Sequence, residues 1–151
     1  MNPVMLIAVP LIAAFISSLF AKRSSLLLLF AAFVNSVIAI AVSLSAINGS
    51  YSMGGWSPPY GIELVVTDMT RVLVPAVNIL AFFAIVVYWR RQDSPGKYSI
   101  VYTISLAALN GILLTNDLFN LFVFLEIAGV WLIFLPALER PGQARSQRSS
   151  I

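Results

Sequence analysis

The sequence predicts an all-α membrane protein with five transmembrane helices. The 151 residues are 60% hydrophobic and 10% charged, whereas an average soluble domain has about 25% charged residues. The mean hydropathy is +0.93. Residues 1–21 and 24–47 contain no ionisable side chain, and each run is long enough to cross a hydrocarbon core about 30 Å thick. We therefore expect one membrane unit, 1–138, without a soluble domain.

Composition also argues against several kinds of site. The chain has no cysteine and no histidine, so it lacks the usual ligands of zinc, haem and iron–sulfur centres. We expect no cofactor, no metal site and no catalytic centre in this chain. The net charge is +3, but the basic residues lie at the ends of apolar runs, which indicates membrane topology rather than nucleic-acid binding.

The first two helices are predicted at 3–20 and 25–47. The first apolar run has no basic residue before it, and Lys22 and Arg23 come after it. A secretory signal would carry its positive charge on the other side of the apolar run. The run is therefore predicted to be a transmembrane helix that the protein retains.

A loop at 48–68 is predicted outside the cytoplasm, between the second helix and a third helix at 69–89. The loop is rich in Gly, Pro, Ser and aromatic residues, and it ends in a short alternating run, 62–66, of extended character. Asp68, or Thr67 just before it, is the predicted N-cap of the third helix. A role in ion access is the alternative for Asp68.

The fourth and fifth helices are predicted at 98–114 and 117–138. The short polar connection between them makes them an antiparallel hairpin. Asp117 is predicted to cap the fifth helix, where a negative charge favours the positive end of the helix dipole. Ion access is again the alternative role.

The basic residues predict the orientation of the helices. With five spans, eight of the nine Lys and Arg residues fall on one side of the membrane and only Arg71 on the other; the eight are Lys22, Arg23, Arg90, Arg91, Lys97, Arg140, Arg145 and Arg148. The positive-inside rule places that side in the cytoplasm. The N-terminus is then outside, and the basic tail 139–151 is cytoplasmic.

Glu126 is the residue that most strongly indicates a function. It lies nine residues after Asp117, about 13–14 Å along a helix axis and therefore close to the middle of the bilayer. A charged side chain costs about 2.5–3.5 kcal/mol there, so the carboxyl either stays protonated or finds a cationic, polar or hydrated partner. Our hypothesis is a proton or cation site; the alternative is a neutral glutamic acid that hydrogen-bonds across a helix interface.

Within the predicted helices, the candidate partners of Glu126 are all uncharged. They are Asn35, Asn78, Ser105 and Asn110. Such side chains commonly hydrogen-bond between membrane helices, and they could also hold water beside Glu126. No Lys, Arg or His lies in the core of any of the five predicted helices, so these helices supply no cationic partner for Glu126.

Two long stretches resemble a known family. "MGGWSPPYGIELVVTD" at 53–68 and "LNGILLTNDLFNLFVFLEI" at 109–127 resemble the D-type subunit of the multisubunit Mrp-type sodium/proton antiporters. That subunit is similar in turn to the antiporter-like subunits of respiratory complex I and of membrane-bound hydrogenases. The resemblance implies inverted helix repeats, and it places the family's proton-path glutamate of the fifth helix at Glu126, with a lysine of the seventh helix as its partner.

The resemblance covers only the first five helices of that fold. It implies the N-terminal portion of a split subunit, with the remaining helices on a separate chain, or else a truncated piece. We expect a subunit of a prokaryotic plasma-membrane complex that exchanges protons and sodium or pumps ions by redox chemistry, with any electron transfer in other subunits. The alternative is an assembly subunit without an ion path. The expected partners are other membrane subunits, protons or sodium ions, and lipid.

Overall fold

The computed structural model describes residues 2–19, 24–45, 47–56, 60–88 and 95–139. Over these residues the fold is mainly helical, as predicted, with five α-helices and a two-stranded sheet. In chain order the elements are α1 Met5–Leu19, α2 Ser24–Ser45, β1 Gly49–Ser52, β2 Glu63–Val66, α3 Asp68–Tyr88, α4 Pro95–Leu114 and α5 Leu118–Glu139.

The first four helices form a bundle, and α5 packs along one side of it. Helix α1 packs mainly on α4 and α2, α2 packs on α3, and α5 contacts α4. The main core takes residues from α1 to α4 and from β2, and its largest fully buried apolar members are Leu6, Leu64 and Leu114. A second core cluster surrounds Ile85 and Leu106.

The extended run predicted at 62–66 is one strand of a β-hairpin. Strand β1 pairs antiparallel with β2, with Gly49 opposite Val66 and Ser52 opposite Glu63. Leu64 and Val66 point into the core, and both are buried. The hairpin therefore closes one end of the bundle, where α4 ends and α5 begins, and is not a free loop.

The hairpin also holds the connection between α4 and α5. The amide N–H of Asn116 donates to the carbonyl of Glu63 at 3.1 Å, and the Asn116 side chain donates to the Glu63 carboxylate at 3.1 Å. Leu64 forms an isolated β-bridge with Thr115. These contacts fix the N-terminal end of α5 against the hairpin.

At the start of α3, Thr67 provides the cap, and Asp68 is the first helical residue. The Thr70 N–H donates to the Thr67 hydroxyl at 3.2 Å, and the Thr67 N–H donates to the Thr70 hydroxyl at 2.8 Å. This reciprocal pair satisfies two backbone donors in the way of a capping box. The carboxylate of Asp68 instead accepts a hydrogen bond from the Asn48 side chain at 2.8 Å.

Among the described residues, Asp68–Val87 is the one helical segment that is long and apolar enough to cross a membrane, with a mean hydropathy of 2.1. Four other helices contain shorter apolar runs: Met5–Ile16, Leu29–Ser45, Ile100–Leu114 and Leu118–Val130. The five-span topology and its orientation stay predictions. Of the basic residues that predict the orientation, Lys22, Arg23, Arg90 and Arg91, together with the tail 140–151, lie outside the described residues.

Candidate functional site

The first turn of α5 is held by Asp117, which immediately precedes the helix. One carboxylate oxygen accepts a hydrogen bond from the Phe119 N–H at 3.0 Å. The other accepts one from the Asn120 side chain at 2.6 Å. The first bond is that of an N-cap residue to the second helical N–H. Both oxygens of Asp117 therefore fix the start of the helix that carries Glu126.

One face of α5 packs against α4 through a close contact at Gly111. A β-carbon placed on Gly111 would lie 2.6 Å from the Phe124 ring, so only glycine leaves room for that ring. Asn120 is buried on the same side of α5. Gly111 and Phe124 thus set the distance between the two helices.

Glu126 lies on the opposite face of α5. Its neighbours there are spaced at helical intervals and are exposed and apolar: Leu118, Phe119, Phe122, Leu125, Val130 and Ile133. Glu126 is itself exposed, and no hydrogen bond or ion pair reaches it from the described part of the chain. It is a single carboxyl on an otherwise apolar surface, turned away from the bundle, and so it is open to a group from outside.

Three of the predicted polar residues meet inside the bundle. Asn35 of α2 donates to the Asn78 side-chain oxygen at 2.5 Å. Asn78 of α3 donates to the Asn110 side-chain oxygen at 2.6 Å. Asn110 of α4 donates to the main-chain carbonyl of Leu6 in α1 at 2.9 Å. The amide chain, defined as these three asparagines, therefore joins all four helices of the bundle, and each of the three is at most 1% exposed.

Leu6 accepts this bond because of a proline one turn later. In an α-helix the carbonyl of residue 6 would accept from the N–H of residue 10, and residue 10 is a proline without an N–H. The Asn110 side chain satisfies the carbonyl that Pro10 leaves free. This partner was not predicted from the sequence, although a proline four residues after a carbonyl is the pattern that could have found it.

Backbone carbonyls fix the direction of the amide chain. Asn110 must turn its NH₂ group toward the Leu6 carbonyl, and Asn78 also donates to the Val74 carbonyl at 2.8 Å. Asn35 must then donate to Asn78, which leaves the Asn35 side-chain oxygen buried without a hydrogen-bond partner in the described residues. Ser36 adds a further tie between α2 and α3 through the Asn78 carbonyl, at 3.0 Å.

The polar residues that were predicted to support Glu126 do not bond to it in the described residues. No hydrogen bond in the described residues joins Glu126 to the amide chain, whose asparagines bond to one another and to α1. Ser105 is buried on α4 at 8% exposure, and within the described residues it makes no hydrogen bond to the amide chain. Water support beside Glu126 therefore remains a prediction.

Comparison with known proteins identifies similar sequences in membrane complexes. The N-type subunit of the NADH-quinone oxidoreductase of Desulforudis audaxviator is 30% identical over 141 residues, which cover 85% of this chain and 28% of that protein. The D-type subunit of the Na(+)/H(+) antiporter of Bacillus subtilis is 30% identical over 131 residues, or 80% of this chain and 26% of that protein. No protein-family model matches.

A solved structure shares the fold. One chain of the membrane-bound sulfane sulfur reductase, an archaeal respiratory membrane complex, matches with a TM-score of 0.75 and 25% identity, over 85% of this chain and 28% of that one. The chain thus spans less than a third of the length of these relatives. By sequence and fold it is a homologue of part of the antiporter-like membrane subunits found in antiporter and respiratory complexes.

Proposed function

We propose that the chain is the N-terminal portion of an antiporter-like subunit in a multisubunit membrane complex, and that Glu126 takes up and releases a translocated proton. The observation that carries the proposal is the position of Glu126 on α5. It is a lone carboxyl near the middle of the helix, on the face turned away from α4 and surrounded by exposed apolar side chains.

The chemistry follows from the cost of a carboxylate among apolar groups. A charged carboxylate in the hydrocarbon core is costly unless a cation or a hydrogen-bond donor compensates the charge. A lysine of a partner chain, packed on the exposed face of α5, would provide that charge when close and withdraw it when distant. Glu126 would then release a proton on approach of the cation and regain one on its withdrawal.

The remainder of the chain would serve as a scaffold for this exchange. The amide chain joins the four helices of the bundle, and the absence of a side chain at Gly111 leaves room for Phe124 of α5. The β-hairpin holds the N-terminal end of α5. A glutamate held at a fixed depth can meet a moving cation reproducibly. In this proposal the driving force, an ion gradient or a redox reaction, belongs to the other subunits.

Replacing Glu126 by Gln is expected to abolish ion-coupled proton movement while leaving the complex assembled. Glutamine keeps the size and polarity of the side chain but cannot exchange a proton at neutral pH. Proton movement is measured by fluorescence quenching in everted membrane vesicles, and assembly by native gel electrophoresis. We expect a loss of more than about tenfold, as for removal of a group that handles the proton directly.

Glu63→Gln is the matched control. Glu63 is a carboxylate of the outer hairpin, and the amide oxygen of glutamine can still accept the bond from Asn116. Transport should therefore be close to wild type. Unchanged transport in Glu126→Gln would refute the proposal, and loss of assembly in Glu126→Gln would support a purely structural subunit instead.

A further inference from the structure

An open groove lies between α2 and α3 near their outer ends. Its volume is about 470 Å³. Ile40 and Leu44 of α2, with Val72 and Pro75 of α3, form an apolar wall, and Asp68 and Arg71 lie at its outer mouth beside Ser43. The groove is therefore amphipathic, with two opposite charges at one end.

Arg71 is an arginine whose hydrogen-bonding capacity is mostly unused. Its Nε donates to the Ser43 carbonyl at 2.8 Å, one of the carbonyls in the last turn of α2 that lack a helical partner. Within the described residues, Nη1 and Nη2 make no hydrogen bond, and Nη1 lies 4.0 Å from the Asp68 carboxylate. The side chain is 35% exposed. The guanidinium is thus oriented by α2 and still has donors to offer.

Asp68 places a negative charge beside this guanidinium without neutralising it. Its side chain is 87% exposed, and the 4.0 Å separation from Arg71 is a weak, solvent-screened pairing. The Asn48 side chain donates to the same carboxylate at 2.8 Å. The mouth of the groove therefore presents one cation and one anion side by side.

The depth of these charges matches a lipid headgroup. Asp68 begins the helix that is long and apolar enough to cross a membrane, and Arg71 lies about 4–5 Å further along its axis. Pro75 lies about 10 Å from the start of the helix, so the apolar wall extends from the headgroup level into the hydrocarbon. Arg71 is also the only Lys or Arg between residues 24 and 89, and the orientation prediction places it on the side that has no other basic residue.

We propose that this groove binds a phospholipid with a primary ammonium headgroup, phosphatidylethanolamine. The guanidinium of Arg71 would bind the phosphate through its free N–H groups, Asp68 would accept hydrogen bonds from the ammonium, and one acyl chain would lie along the apolar wall. A phospholipid whose headgroup carries only negative charge would be repelled by the Asp68 carboxylate. A choline headgroup has no N–H to donate. The proposal does not depend on the role of Glu126.

The test is lipid retention by the full chain, extracted from the membrane with any subunits that copurify. Equimolar phosphatidylethanolamine, phosphatidylcholine and phosphatidylglycerol are offered in mixed vesicles, and the bound lipid is counted by native mass spectrometry. The wild type should retain the ethanolamine lipid about fivefold over each of the others. Arg71→Gln should lower its retention roughly tenfold, and Asp68→Asn should remove the preference over choline. Glu63→Gln, outside the groove, should match the wild type.

Equal retention of the three lipids by the wild type would overturn the proposal, as would an Arg71→Gln variant that retains the ethanolamine lipid. If Arg71→Gln fails to fold, Leu44→Trp fills the groove while keeping the polar contacts of Arg71, and bound lipid in that variant would overturn the proposal. Inorganic phosphate is the remaining probe. Displacement of the lipid by millimolar phosphate would show that the site binds only the phosphate group and that the acyl chain adds no affinity. This result would also overturn the proposal.

Discussion

Replacing Asn78 by Leu is expected to lower the free energy of unfolding by about 2–4 kcal/mol, since each buried polar group left unpaired costs about 1–3 kcal/mol. Asn78 is the middle of the amide chain, so the change leaves the Asn35 NH₂ group and the Asn110 side-chain oxygen without the partners they have now. The measurement is reversible unfolding of the full chain in lipid–detergent micelles, followed by circular dichroism.

Ser105→Ala is the control for this change. Ser105 is also a buried polar residue of a bundle helix, but it is outside the amide chain, and a loss of less than about 1 kcal/mol is expected. In the double variant Asn35→Leu/Asn78→Leu, the loss should be smaller than the sum of the single losses, because the second change removes a group that the first has already orphaned. Additive losses would contradict a connected chain of amides.

Replacing Gly111 by Ala is expected to destabilise the packing of α5 on α4 by about 1–3 kcal/mol, the usual cost of overpacking. The new methyl group would lie 2.6 Å from the Phe124 ring, and that ring packs against the main core. Alanine by itself stabilises a helix interior by up to about 1 kcal/mol relative to glycine. The steric clash with the Phe124 ring must cost more than this gain for the variant to be destabilised. Unfolding in the same micelles checks the stability, and limited proteolysis checks the attachment of α5.

Gly129→Ala provides a matched control, because no described atom outside the backbone of its own helix turn and its two chain neighbours lies within 4 Å of the added methyl group. This variant should be neutral or more stable by up to about 1 kcal/mol. Phe124→Leu should remove the ring that clashes with the new methyl group, so that Gly111→Ala becomes neutral or stabilising in that background. A Gly111→Ala protein as stable as the wild type, with Phe124 intact, would refute the close contact as the determinant of helix spacing.

The parts of the fold that follow from local patterns were predictable. Long apolar runs predict helices, and the alternating run at 62–66 predicts an extended strand. Strand β1 was not predicted, because it is short and three of its four residues, one Gly and two Ser, have weak β-propensity. Its conformation depends on pairing with β2. Helix α4 begins at Pro95, before the predicted start at 98, since proline is well tolerated in the first turn of a helix.

For the candidate site, the sequence predicted which residues would matter, but it did not predict the directions in which their side chains face. Asn35, Asn78 and Asn110 stand out in sequence as amides within apolar helices, but they lie on three helices, and only tertiary packing shows that they bond to one another. Glu126 stands out for the same reason. That it faces away from α4 could not be read from its own helix, because α5 is apolar on both faces.

The tie between the β-hairpin and Asn116 makes the N-terminal end of α5 a fixed pivot. If α5 tilts, the displacement of each residue grows with its distance from that point. Glu126 lies about 12 Å along the axis from Leu118, and Glu139 about 32 Å. The carboxyl would thus move less than half as far as the far end of its helix. A partner that pulls on the C-terminal end of α5 would therefore tilt the helix while Glu126 keeps nearly the same depth.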